Sequence, residues 1–126
     1  MINIIEKSWL ARKLYYGNRL ILNRNTSIAH ELTMRCNLDC KHCYQKDYKH
    51  HKLKEATLED IRDFYKRMPN VPVKLTGGEP FCREDIAEII KAIGKRELSI
   101  LTNGTLLDSS KLKNSKISTL SVSIDG

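Results

Sequence analysis

The run Val71-Pro72-Val73-Lys74-Leu75-Thr76 passes directly into Gly77-Gly78-Glu79-Pro80. β-Branched and apolar residues followed by paired glycines read as a short strand that ends in a turn. On both sides the hydrophobic period switches to that of a helix. Upstream, Leu58, Ile61, Phe64, Tyr65 and Met68 share one helical face. Thr57 is placed to cap that helix, with the Asp60 carboxylate three residues on to reach back, and Pro69 ends it. Downstream, Ile86, Ile89, Ile90 and Ile93 line a second helix with Asp85 in its first turn and Gly94 positioned to close it.

The alternation continues outward. Ser27–Thr33 alternates apolar and polar residues as a strand does. Leu98–Leu101 reads as another strand, Thr102-Asn103-Gly104 as a turn, 108–114 as a short polar helix and Ile117–Ile124 as a further strand. Residues 1–25, with Ile4, Ile5, Trp9, Leu10 and Leu14 near helical spacing, read as a lead-in segment ahead of a core at 26–126. Strands alternating with helices of this length predict an α/β fold with a parallel sheet, helices outside and chemistry at the carboxyl ends of the strands. Four suggestive stretches fall at those ends: Cys36–Cys43, Gly77–Pro80, Thr102–Gly104 and Ser123–Asp125.

The first of these is Cys36-Asn37-Leu38-Asp39-Cys40-Lys41-His42-Cys43-Tyr44. Thiolates select Fe–S clusters, zinc or Cu(I), and a loop this tight can aim three sulfurs at one point. A [4Fe–4S] cluster takes one cysteine per iron, so three leave one iron open to an outside ligand. Zinc remains an alternative, with His42 as the fourth ligand of a Cys3His set, although its place between Cys40 and Cys43 makes joint ligation awkward. His30 reads as a structural strand residue. Cys82 stands apart from the loop and reads as a small buried hydrophobe.

With 126 residues the chain holds one modest core, and 40% hydrophobic with 29% charged residues is the composition of a globular protein. No apolar run reaches the roughly 18–20 residues of a membrane span. The N-terminus lacks a basic stretch followed by an apolar one, so a secretory signal is not read, and clustered cysteines then fit a reducing, cytoplasmic setting. The formal charge of +7 leaves nucleic acid open as a partner, but the basic run at 46–54 has neither helical period nor a known motif and reads as a solvated loop.

The C-x3-C-x2-C loop ending in Tyr44, with Gly77-Gly78-Glu79-Pro80, Thr102-Asn103-Gly104 and Ser121-Val122-Ser123-Ile124-Asp125-Gly126, resembles the radical S-adenosylmethionine (SAM) enzymes over residues 26–126. The closest look is to the peptide-modifying branch that carries auxiliary clusters in a C-terminal, SPASM-type extension. The resemblance implies a partial (β/α) TIM-like barrel, truncated after about four of six βα units unless a second chain completes it, with the last strand an open edge. It implies a [4Fe–4S] cluster on Cys36, Cys40 and Cys43, with Tyr44 packed against the cluster or the SAM adenine. Gly77, Gly78, Glu79 and Pro80 would hold the SAM amino group, Glu79 as a carboxylate at the barrel mouth. Thr102 and Asn103 would line the SAM pocket, and Ser123 and Asp125 would meet its carboxylate and ribose. The implied reaction is reductive cleavage of SAM to a 5′-deoxyadenosyl radical that abstracts hydrogen, fed by a flavodoxin- or ferredoxin-like electron donor and directed at a peptide or protein. Arg35 and Lys41 would favour the reduced cluster. An Fe–S electron carrier and a zinc-stabilised nucleic-acid-binding module are the alternatives.

Overall fold

Among the described residues the elements run β1 (Ile28–Glu31), α1 (Leu58–Arg67), β2 (Val73–Thr76), α2 (Ile86–Ile93), β3 (Leu98–Thr102) and β4 (Thr119–Val122), with a 3-10 turn at Pro80–Cys82 and no helix between the last two strands. The structure, a computed structural model of the chain, describes residues 27–45, 54–113 and 115–124. The sheet order is β1-β2-β3-β4 and every pairing is parallel. The fold is therefore α/β, a parallel sheet with helices as in a partial TIM-like barrel. The lead-in at 1–25, most of the basic run at 46–54 and Asp125 lie outside the described residues.

The register explains where the core sits. Val73 and Leu75 pair with Leu98 and Ile100, so their side chains share one face of the sheet. Ile61 and Tyr65 of α1 and Ile86, Ile89, Ile90 and Ile93 of α2 pack onto that face. His30 packs there too, its ring tilted against both neighbours, with its centroid 5.9 Å from that of Phe64 and 5.8 Å from that of Tyr65 and its Nδ1 2.8 Å from the Tyr65 hydroxyl. The opposite face carries the row Ala29, Lys74, Ser99 and Thr119. Its polarity follows from the absence of a covering helix on that side among the described residues.

Both helices end where the sequence signals them. Thr57 accepts from the Asp60 N–H while the Asp60 carboxylate accepts from the Thr57 N–H, a complete capping box. Asp85, by contrast, makes no side-chain cap to α2; its carboxylate takes a bidentate pair from Arg83 at 2.8 and 2.7 Å. Arg96 closes both helix ends, donating to the carbonyls of Tyr65, Met68 and Pro69 at the end of α1 and of Ile93 at the end of α2. A cation at helix C-termini is favourable both to the dipole and to the orphan carbonyls.

Two expectations differ. Residues 109–113 form successive turns instead of a helix, because only Leu112 has a core to pack against and the Asp108 carboxylate draws the Ser110 N–H to itself. The last strand covers Thr119–Val122, not Ile117–Ile124, since β3 offers partners only from Ser99 to Thr102. All four of its residues are exposed. No helix among the described residues is long and apolar enough to cross a membrane.

Candidate functional site

The carboxyl ends of the strands surround a cavity of about 540 Å³. Cys36, Cys40 and Cys43 line one side of it, Gly77 and Gly78 the floor after β2, Thr102 and Asn103 the end of β3, and Ser123 the end of β4. His42 and Tyr44 also face it. The four stretches singled out in the sequence thus converge, because parallel strands put all their carboxyl ends on one edge. Pro80 is buried behind this surface, opening the 3-10 turn, and Asp125 lies outside the described residues.

The two glycines also have a structural task. A Cβ on Gly77 would lie 2.4 Å from the Thr33 carbonyl oxygen, and one on Gly78 2.1 Å from that of Arg35. Their closeness lets the turn dock on the backbone entering the cysteine loop: Gly78 N–H donates to Thr33 O at 2.7 Å and Glu79 N–H to Arg35 O at 2.8 Å. The approach is backbone on backbone, and it fixes the loop that carries the sulfurs.

Glu79 requires a correction. Its side chain is fully buried (0% exposed), not at a mouth. Oε1 accepts from the Thr102 hydroxyl at 2.7 Å and the Phe81 N–H at 3.1 Å, and Oε2 accepts from the Asn103 N–H at 2.7 Å. The carboxylate is a strut between the two turns after β2 and β3. The Thr102 hydroxyl is committed too, accepting from the Gly104 N–H at 3.0 Å. Asn103 spans the remaining gap, its Nδ2 lying 3.8 Å from Cys36 Sγ and 3.0 Å from Asn37 Oδ1.

Tyr44 is 64% exposed, its hydroxyl 3.4 Å from Glu31 Oε1 and taking a hydrogen bond from the buried Gln45. Arg35 is paired: Nε and Nη2 reach the Glu55 carboxylate at 2.9 and 3.1 Å, and that bond holds Glu55 below the usual carboxylate range. Its charge is therefore offset, contrary to its expected role as a cation for the loop. Cys82 is half-buried and not among the cavity residues; burial, with Cys36 and Glu79 nearby, pushes its thiol up, the protonated and unreactive state. Asn37, Gln45 and Thr105 were not legible as site residues, because their partners lie far along the chain or carry no motif.

Residues 30–126 match the Radical SAM superfamily. The chain belongs to that family. Members bind a [4Fe–4S] cluster and SAM. Among similar curated proteins are the probable GTP 3′,8-cyclase of Methanothermobacter marburgensis, 37% identical over 107 residues, covering 79% of this chain and 35% of that protein. The GTP 3′,8-cyclase of Clostridium perfringens is 36% identical over 105 residues, 75% of this chain and 32% of its own. A 7,8-dihydro-6-hydroxymethylpterin dimethyltransferase of Methanocaldococcus jannaschii is 34% identical over 108 residues, 76% of this chain and 21% of its own. The chain thus spans about a third or less of the length of these relatives. Their names are those of GTP cyclases and a pterin methyltransferase, where the sequence suggested the peptide-modifying branch.

The donor set fits the family's cluster. Four cysteines are free, and three of them border one cavity. No three His, Cys, Asp or Glu side chains among the described residues group tightly enough for a single metal ion. A [4Fe–4S] cluster takes one thiolate per iron, and the three cysteines bordering the cavity would supply three of them.

Proposed function

We propose that this chain carries the cluster- and SAM-binding part of a radical SAM enzyme acting on a nucleotide or pterin-like heterocycle. The observation that carries this is the convergence of Cys36, Cys40 and Cys43 with Gly77, Gly78, Asn103 and Ser123 around one cavity. Cys36, Cys40 and Cys43 would hold the cluster. Bound together, cluster and SAM supply one-electron cleavage of a sulfonium and, through it, hydrogen-atom abstraction.

The remaining roles belong to the chain itself. Gly77 and Gly78 line the cavity, where their backbone would meet the amino group of SAM. Glu79 and Pro80 hold that turn from behind, so Glu79 serves SAM by positioning. Tyr44, exposed beside Cys43, offers a ring face to the adenine or the cluster. Ser123 presents a hydroxyl at the end of β4 for the SAM carboxylate or ribose, with Asp125 following it. Thr102 and Asn103 fix the floor between them. A one-electron donor of flavodoxin or ferredoxin type and a reducing cytoplasmic setting complete the proposal.

The substrate class rests on the relatives, whose names specify GTP and a dihydropterin. A peptide substrate has no counterpart among them and gives way to the heterocycle. The test is anaerobic reconstitution with iron and sulfide, then EPR of the reduced protein with and without SAM. A [4Fe–4S] signal that changes shape with SAM is the expected result. A cluster indifferent to SAM, or zinc and no cluster, overturns the proposal. Calorimetric titration of the SAM-loaded protein with GTP, a dihydropterin and a peptide then tests the substrate class: heat from the peptide alone overturns it.

A further inference from the structure

Two N–H groups are aimed at Cys36 Sγ: the Leu38 backbone N–H, with its nitrogen 3.5 Å away, and the Asn103 side-chain amide at 3.8 Å. The second comes from the far end of β3, and its orientation is determined by its other partners. Asn103 Oδ1 accepts from the Thr105 backbone N–H at 2.9 Å and from the Thr105 hydroxyl at 2.7 Å. A backbone N–H can only donate, so that end of the amide is the oxygen and the NH2 end faces the sulfur. The other amide hydrogen is taken by Asn37 Oδ1 at 3.0 Å, and Asn37 Nδ2 in turn donates to the Thr105 hydroxyl at 2.8 Å. This closes a ring of three side chains. The Asn103 backbone N–H is held by the buried Glu79 carboxylate. The amide is therefore fixed before any ligand arrives.

We infer that Asn103 is a positioning residue that donates an N–H···S hydrogen bond to the Cys36 thiolate and thereby sets the reduction potential of the cluster. This rests on the cluster assignment made above. An electron added to a thiolate-bound cluster adds negative charge to its sulfurs. A donor aimed at a sulfur stabilises the reduced form more than the oxidised form and raises the potential. Because the same residue hangs from Glu79, the setting of the potential is tied to the Gly-Gly-Glu-Pro turn. A shift of that turn moves the amide relative to the sulfur.

The experiment is an EPR-monitored redox titration of the reconstituted 126-residue chain, without SAM, on the parent, Asn103→Leu and Thr105→Val. Asn103→Leu removes the donor without adding charge. Thr105→Val keeps the donor but removes the hydroxyl that orients it. With iron and sulfide content equal to the parent's, Asn103→Leu is expected to lower the midpoint. At a fixed ambient potential, the ratio of reduced to oxidised cluster should fall about tenfold, or about 59 mV for one electron. Thr105→Val should move it the same way by less. An unchanged midpoint in Asn103→Leu with the cluster intact overturns the inference. If that variant holds no cluster, Thr105→Val decides on the same criterion. A parent that takes up no cluster overturns the cluster reading as well, whereas a loaded parent with unmoved variants overturns this inference alone.

Discussion

Glu79 shows how much a single carboxylate can organise once it is buried. Its charge is taken up by one hydroxyl and two backbone N–H donors, which join the turns after β2 and β3. In Glu79→Gln one of the two oxygens becomes an NH2, which must face either the Asn103 N–H or the pair formed by Thr102 and Phe81. A buried donor left without an acceptor costs about 1–3 kcal/mol, and a charge-assisted bond is lost as well. The expected loss is about 2–4 kcal/mol, read as a lowered denaturant midpoint; a change below about 1 kcal/mol would refute the strut. The sequence named Glu79 as part of the site but could not give its depth, because Thr102 and Asn103 lie more than twenty residues away.

At the scale of elements, the signals written locally came through. The Thr57–Asp60 capping box and the Gly94 stop are where the pattern put them, since each depends on neighbours three or four residues apart. Arg96 carried no such signal, yet it ties α1 to α2 through four carbonyls. Arg96→Met keeps much of the stem and removes the fork, and about 2–3 kcal/mol of stability should go with it. Cluster uptake should be unaffected, since Arg96 lies away from the cavity, and parallel denaturation and iron analysis would show both. His30 gives the β1–α1 contact a pH dependence. Burial, and secondarily the Arg83 charge, hold its pKa below the ordinary value of about 6.5. The folded state therefore binds the proton more weakly than the unfolded chain. Stability is full above pH about 6.5 and declines as pH falls through the folded pKa. Melting temperatures followed from pH 7 to 5 should show this decline in the parent and a smaller one in His30→Leu; equal slopes would refute it.

For the molecule as a whole, the core and the cavity are separate regions. The buried cluster of Leu32, Ile61, Tyr65, Leu75, Ile86 and their neighbours contains none of Cys36, Cys40 and Cys43. The α/β framework should then survive metal removal. Far-UV circular dichroism of the chelated protein, and of the Cys36→Ala, Cys40→Ala, Cys43→Ala triple variant, is expected to match that of the loaded parent. A collapse of the helical signal on chelation would mean the metal holds the fold together.

The amino-acid sequence by itself determined the alternation of strand and helix, the caps and the clustering of three thiols in one loop, because these depend on residues near one another along the chain. Tertiary structure decided what the motifs do to each other. It set Gly77 and Gly78 against the backbone of Thr33 and Arg35, withdrew Glu79 from the cavity and brought Asn103 to Cys36, 67 residues away. Such contacts are made by parallel pairing, which gathers distant strand ends on one edge, and no local pattern encodes which side chain meets which across that edge.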